Sequence, residues 1–190
     1  MPLTFFEGNA ANQIYAQGKA LQSICFATQE TFAVTTNPAI HTALSTSGAG
    51  SCIIMVIHKT MGCGALGHCA GISSTLDILR ALDLMLQKIG GGQVENIVLA
   101  AGAGRPIAAQ LAHQQQTVQA LHAVYANAHI SWPNHPEFDQ GAYYDACYYL
   151  PVQQRIGLRE GSLNPDYLSG LLLSPTPGIA IYDYAGRSPF

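Results

Sequence analysis

The chain has 190 residues, a length that suits one domain able to bury a core of its own. Only 10% of the residues are charged and the formal net charge is −3, so the sequence lacks the basic surface that binds nucleic acid or anionic lipid. No stretch approaches the roughly 18 consecutive apolar residues of a membrane-spanning helix. We therefore expect neither a nucleic acid nor a membrane as a partner.

The N-terminal segment and the cysteines bear on where the protein works. Residues 1–20 include Glu7, Asn9 and Asn12 and lack the basic and apolar regions of a secretory signal peptide. The five cysteines are irregularly spaced in a chain too long to need disulfides, which indicates reduced thiols. The sequence thus favours a cytoplasmic protein, or one exported by a specialised system without a cleaved signal peptide.

The first part of the chain predicts a helix followed by strands. A helix is expected over about residues 9–22, and the β-branched run "TFAVTT" at residues 31–36 predicts a strand. The run "CIIMVIH" at residues 52–58 is the clearest strand and is apolar enough to be buried on both faces. Glycines within residues 62–67 indicate a turn and a bent second strand that leads to His68.

The second part of the chain predicts two helices and further strands. Ser73 or Ser74 is expected to cap a helix that ends at Lys88, and "NIVLAA" then predicts a buried strand. A second helix follows over about residues 107–127, and the runs "GAYYDACYYLP" and "GIAIYDYA" predict two more strands. This order favours an α/β protein: a single-domain sandwich over residues 1–190, with a mixed sheet flanked by helices. Residues 1–30 would form an N-terminal loop and helix packed on it.

The segment "STSGAGSC" places Cys52 directly after a turn of small residues. The backbone amides of such a turn can point at one spot, as an oxyanion hole requires. A thiol at this place can act as a nucleophile if a base or amide groups favour its thiolate. The alternative, which composition alone favours, is that Cys52 is a small apolar residue opening a buried strand.

His68 follows Cys52 by sixteen residues, the length of two seven-residue strands joined by a short turn. In such a hairpin the start of the first strand and the end of the second lie at the same edge. A neutral imidazole there can take the thiol proton and later return it to a leaving amine. A lone histidine in an apolar hairpin is more often structural, so the pairing with Cys52 is what points to catalysis.

Thr46, the turn "GAGSC" and the run "GALGH" that ends at His68 resemble the CheD-type chemoreceptor glutamine deamidases. The cysteine–histidine pairing is also similar, more distantly, to that of the cytotoxic necrotizing factor and Burkholderia lethal factor toxins. The resemblance covers about residues 46–71 and extends to the strand and "AGAG" loop at residues 100–104. After His68 the chain reads "CAG", where CheD proteins usually have a leucine-proline step, and no receptor-binding part matches.

The resemblance implies a CheD-like fold and a cysteine-dependent protein glutamine deamidase that needs no cofactor. Cys52 would attack the side-chain amide of a glutamine in a partner protein, forming a thioester and releasing ammonia. His68 would act as base and then as acid, and Thr46 would orient its ring. Gly50, Ser51 and the amide of Cys52 are the candidates for the oxyanion hole. Such an enzyme could serve chemotaxis, or it could be a bacterial effector or toxin directed at a host protein.

Other readings of the same residues remain open. A thiol peptidase or a transglutaminase would use the same thioester chemistry, and a non-catalytic domain of this fold would bind a protein through an exposed loop. Cys52, Cys63, His68 and Cys69 could form a zinc knuckle, but their spacing matches none of the usual patterns, so we expect no metal. The run "GAGRP" lacks the third glycine of a dinucleotide-binding fingerprint.

Two further segments are candidates for the surroundings of the site. The loop "WPNHPEFD" contains Trp132, the only tryptophan, which either lines a pocket or contacts a partner, or else covers one end of the core. Gln153 and Gln154 would approach the site if the sandwich closes as in the toxins. The oligomeric state is open.

Overall fold

A computed structural model describes residues 3–20, 24–70, 74–103, 105–133, 144–160 and 178–184. These residues contain three α-helices, Ala11–Ala20 (α1), Thr75–Lys88 (α2) and Ile107–Val124 (α3). They also contain eleven strands, which in chain order are Thr4–Glu7 (β1), Ile24–Phe26 (β2), Thr31–Thr35 (β3), Ala43–Thr46 (β4), Ile53–Lys59 (β5), Gly64–Cys69 (β6), Val94–Ala101 (β7), His129–Ser131 (β8), Ala146–Leu150 (β9), Arg155–Arg159 (β10) and Ile179–Asp183 (β11).

The strands form two open mixed sheets. The first has five strands in the order β1-β10-β9-β4-β2, and the second has six in the order β11-β3-β6-β5-β7-β8. Parallel pairs occur at β1–β10 and β2–β4 in the first sheet and at β7–β8 in the second, while the other neighbours are antiparallel. The expected α/β class is confirmed, but the expectation of one mixed sheet is wrong because the described chain builds two.

Three clusters of buried side chains show how the layers stack. The first cluster joins one face of the six-stranded sheet to α2 and α3, with Met55 and Leu82 as members. The second lies between the two sheets and includes Val56 from β5 and Tyr149 from β9. The third joins the outer face of the five-stranded sheet to α1, where Ile14 is buried. The described elements therefore form four layers, helix–sheet–sheet–helix, with the main sheet-to-sheet core in the middle.

Most of the strongly patterned elements are where the sequence predicts them. Helix α1 is shorter than expected, and α2 begins after Ser74, whose hydroxyl accepts a hydrogen bond from the amide of Asp77 at 3.2 Å. Ser73 lies outside the described residues. None of the three described helices combines the length and the apolar character needed to cross a bilayer.

The antiparallel hairpin of β5 and β6 is the predicted one and it positions the candidate site. Its register pairs Ile53 with Cys69 and Ile54 with His68. A short 3-10 turn at Thr60–Gly62 closes the hairpin, and Met61 there has a positive φ of 70°. Every residue of β5 and β6 is buried, as the apolar run predicts. The start of β5 and the end of β6 thus share one end of the sandwich, opposite the turn.

Candidate functional site

Cys52 and His68 face the space between the two sheets. Side chains alternate along β5, so that Ile54 and Val56 contact the sheet-to-sheet core, and Cys52, two residues before Ile54, packs against the same cluster. On β6, His68 reaches across to Thr46 in the opposite sheet. The Cys52 side chain is half-buried, whereas only 4% of His68 is exposed. The thiol therefore lies at the partly exposed edge of the space between the sheets (the rim), and the imidazole lies deeper in that space.

The register places the two residues as diagonal neighbours. Since Ile54 is opposite His68 and Ile53 is opposite Cys69, Cys52 is one position beyond the last pair and opposite Ala70. Diagonal neighbours on one face of a sheet have Cβ atoms roughly 7 Å apart, so the thiol and the imidazole are neighbours on the face that points to the other sheet. In the arrangement described, no hydrogen bond to the thiol or any other group reaches His68 Nε2.

A chain of two hydrogen bonds fixes the His68 ring. Thr46 Oγ1 lies 2.9 Å from His68 Nδ1 and donates its single proton to the carbonyl oxygen of Ala27 at 2.7 Å. Because a carbonyl can only accept, the hydroxyl proton is committed to Ala27, and Thr46 must accept from His68. The neutral ring therefore carries its proton on Nδ1, which leaves a lone pair on Nε2.

Burial keeps that ring neutral. Desolvation lowers the pKa of His68 below its ordinary value, because a buried imidazolium loses its hydration. The pKa of the Cys52 thiol is raised, first by desolvation and then by the negative charge of Glu30. The resting pair is consequently a thiol and a neutral imidazole rather than a thiolate and an imidazolium. Such a pair suits general-base catalysis, in which the proton moves during the attack.

The turn before Cys52 is held by the loop after β7. The carbonyl oxygen of Gly50 accepts hydrogen bonds from the amides of Gly102 at 3.1 Å and Ala103 at 3.0 Å. This loop needs unusual backbone angles, with φ of 64° at Ala101 and 84° at Gly102. Gly50 and Ser51 are exposed at the protein surface. The turn is therefore both held in place by the neighbouring loop and exposed to solvent.

Trp132 takes the second of its two expected roles. It is only 9% exposed and belongs to the core beneath the six-stranded sheet. Its Nε1 donates to the carbonyl of Ala101 at 3.3 Å, and its ring leaves only 3.2 Å to where a Cβ on Gly102 would lie. Trp132 thus covers one end of the core and supports the bracing loop. Residues 134–139 of the same segment lie outside the described residues.

Sequence reasoning did not find two contributors to the site. Ala27 acts through its carbonyl, a group that no side-chain pattern reveals. Glu30 lies at the turn before β3, next to β6 in the sheet, where its backbone amide donates to the carbonyl of His68 at 2.8 Å. The sequence shows that Glu30 immediately precedes a predicted strand, β3. It does not show that this strand pairs with β6, which is what brings Glu30 to the site.

Other candidate residues lie at the opposite end of the sandwich. Gln153 and Gln154 follow β9, whose register with β4 runs away from Thr46, and Gln153 hydrogen-bonds His41 at 3.1 Å. The expectation that these glutamines approach the site is therefore wrong. Cys63 lies beside the hairpin turn, roughly 20 Å from Cys52 along the seven residues of β5.

This placement bears on the zinc alternative. Cys63, beside the hairpin turn, and Cys52, at the rim, are too far apart to bind one ion together with His68. The alternative of a zinc knuckle formed by all four residues is therefore wrong. Among the described residues, no group of three or more histidine, cysteine or acidic side chains is placed to hold a metal ion.

Comparison with known proteins adds no family to this description. No protein-family model matches the chain, and no curated protein shows significant sequence similarity to it.

Proposed function

We propose that this protein is a cysteine-dependent glutamine deamidase that acts on a partner protein through a thioester. The observation that supports the proposal is the bond between Thr46 and His68. It fixes the tautomer in which Nε2 is a buried free base, on the sheet face that Cys52 shares.

In the proposed reaction, Cys52 Sγ attacks the amide carbon of the glutamine side chain while its proton passes to His68 Nε2. The amides of Ser51 and Cys52 would stabilise the oxyanion. When the tetrahedral intermediate collapses, the C–N bond breaks and the leaving ammonia takes the proton from the imidazole. A water molecule, deprotonated by His68, then attacks the thioester carbonyl. The glutamate product leaves, and the thiol regains its proton.

A thiol at the rim suits a glutamine on a protruding loop of a folded partner. Gly50 and Ser51 are exposed beside it, so the substrate backbone need not enter the sandwich. The surface is poor in charged residues, which fits a host-directed bacterial effector at least as well as a chemotaxis enzyme. The same site would serve either role.

Selective alkylation of Cys52 tests whether the site is reactive. The protein is incubated with iodoacetamide over a mildly acidic to mildly basic pH series, and labelled cysteines are identified by mass spectrometry. We expect Cys52 to react first and the reaction to slow in His68→Ala. Two matched variants should keep the wild-type rate: Cys69→Ala removes a neighbouring thiol on the other sheet face, and His41→Ala removes an exposed histidine at the far end. Equal labelling in His68→Ala would favour the non-catalytic binding domain.

Product analysis then separates the thioester enzymes. Glutamine-rich peptides are incubated with the protein, and released ammonia, peptide masses and incorporation of a labelled primary amine are measured. A deamidase produces ammonia and a small mass gain at glutamine, a transglutaminase incorporates the amine, and a peptidase cleaves the chain. All three activities should disappear in Cys52→Ala. Amine incorporation or cleavage without deamidation would replace the proposal by the corresponding alternative.

A further inference from the structure

Glu30 is held by both of its backbone polar groups and by one of its two carboxylate oxygens. Its backbone amide donates to the carbonyl of His68 at 2.8 Å, and its carbonyl accepts from the amide of Tyr184 at 3.3 Å. Its side-chain Oε1 accepts a hydrogen bond from the amide of Ala70 at 3.1 Å. The backbone has a φ of 66°, a left-handed conformation that is uncommon outside glycine. Glu30 is therefore held in place rather than free to swing away.

This fixed carboxylate lies beside the candidate nucleophile. Ala70, which it binds, is opposite Cys52 when the register of β5 and β6 is continued by one residue. Glu30 is exposed to solvent, so its negative charge meets anything that approaches the thiol from the rim. The charge also acts on the thiol itself, since it contributes to raising the pKa of Cys52.

A negative charge at this place is unfavourable for making a thiolate, so it needs another explanation. Nucleophilic cysteines are normally surrounded by positive charge or amide donors. A carboxylate instead attracts N–H donors and cations and repels anions. The carboxamide of glutamine presents two N–H bonds, whereas the carboxylate of glutamate presents none. The two side chains have the same shape, so charge and hydrogen bonding are what a site can use to distinguish them.

We propose that Glu30 is a specificity-determining residue, which admits neutral amide side chains to Cys52 and excludes carboxylates. The free oxygen of its carboxylate would accept an N–H of the substrate amide. After hydrolysis the new carboxylate of the product would face the same negative charge, which favours its release. The amide-binding part rests on the proposed deamidase function, whereas the exclusion of anions applies to any molecule that reacts with Cys52.

Two alkylating reagents of nearly equal size test this selectivity directly. Iodoacetamide is neutral and iodoacetate is negatively charged, so the ratio of their rates at Cys52 reports the charge at the rim. The ratio for a small thiol in solution corrects for intrinsic reactivity. We expect wild-type Cys52 to prefer iodoacetamide, and Glu30→Gln to reduce the corrected ratio roughly five- to tenfold. Added salt should reduce it in the wild type and have little effect in the variant.

The variants are chosen to preserve the structure. Glutamine at position 30 has the shape of glutamate and can still accept from the Ala70 amide, so the variant loses charge without losing the bond. Asp83→Asn makes the same change of net charge on the exposed side of α2 and should leave the ratio unchanged. An unchanged ratio in Glu30→Gln would overturn the role of Glu30 alone. Failure of Cys52 to react with either reagent at any pH would overturn the deamidase proposal and this one together.

Discussion

Replacing Thr46 by valine removes the hydroxyl that holds His68 while keeping the shape of the side chain. Thr46 is fully buried, and its Oγ1 makes two short hydrogen bonds, to the Ala27 carbonyl and to His68 Nδ1. The variant leaves both partners buried without a bond. Each such group destabilises a protein by about 1–3 kcal/mol, so we expect the free energy of unfolding to fall by about 2–4 kcal/mol.

The same change should affect reactivity separately from stability. Without Thr46 the ring is no longer fixed in the tautomer that leaves Nε2 free, so His68 becomes a poor base. We expect the rate of Cys52 alkylation by iodoacetamide near neutral pH to fall roughly tenfold or more. Thr46→Ser keeps the hydroxyl and removes one methyl group. It should lose only about 1 kcal/mol of stability and retain most of the reactivity.

Thr35 offers a matched control at the other end of β6. It is 3% exposed, and its Oγ1 donates to the carbonyl of Gly64 at 3.0 Å and accepts from the amide of Gly64 at 2.7 Å. Thr35→Val should therefore destabilise the protein to a similar degree in urea unfolding, yet leave the alkylation of Cys52 unchanged. If Thr46→Val reacts as fast as Thr35→Val, the proposed positioning of His68 by Thr46 is refuted.

Three further predictions concern pH and close packing. Because burial raises the pKa of Cys52 and lowers that of His68, the alkylation rate should rise continuously from about pH 6 to pH 9; a plateau below about pH 7 would instead reveal a preformed thiolate. The pKa of His58 is lowered by burial to about 4, so the unfolded state binds more protons between that value and the ordinary 6.5, and stability should fall by about 3 kcal/mol as the pH drops through this range. That slope should become clearly smaller in His58→Gln, as acid titration of urea midpoints would show; the buried His68, whose pKa is also lowered, keeps part of it. A Cβ on Gly64 would collide with the hydroxyl of Tyr149, so Gly64→Ala should lower the unfolding free energy by about 3 kcal/mol; a wild-type urea midpoint would contradict this packing.

The strongly patterned parts of the fold are predictable from the sequence. The hairpin of β5 and β6 follows from one apolar run, a glycine-containing turn and a second apolar run, and α2 follows from apolar residues at helical spacing after Ser74. Strands β1, β2 and β4 have only three or four residues, too few to show the alternation that identifies a strand. The five-stranded sheet therefore could not be predicted, because three of its five strands are such short pieces.

The candidate site also has a part that the sequence predicts and a part that it does not. The shared edge of Cys52 and His68 follows from the hairpin length, and the hairpin exists in the structure. The position of Thr46 came from the resemblance, since its bond to His68 crosses between two sheets and no local pattern predicts such a contact. Glu30 and the Ala27 carbonyl join the site through strand pairings distant in sequence. Tertiary topology alone brings them there.

The two hydrogen bonds accepted by the Gly50 carbonyl have a consequence for the peptide unit that it shares with Ser51. A carbonyl oxygen that accepts two N–H groups draws electron density along the amide bond, and this polarisation strengthens the donor at the other end of the same unit. The Ser51 N–H is that donor. The loop after β7 therefore has two effects on this turn. It holds the turn in place, and it makes the exposed Ser51 N–H a stronger hydrogen-bond donor than its neighbours.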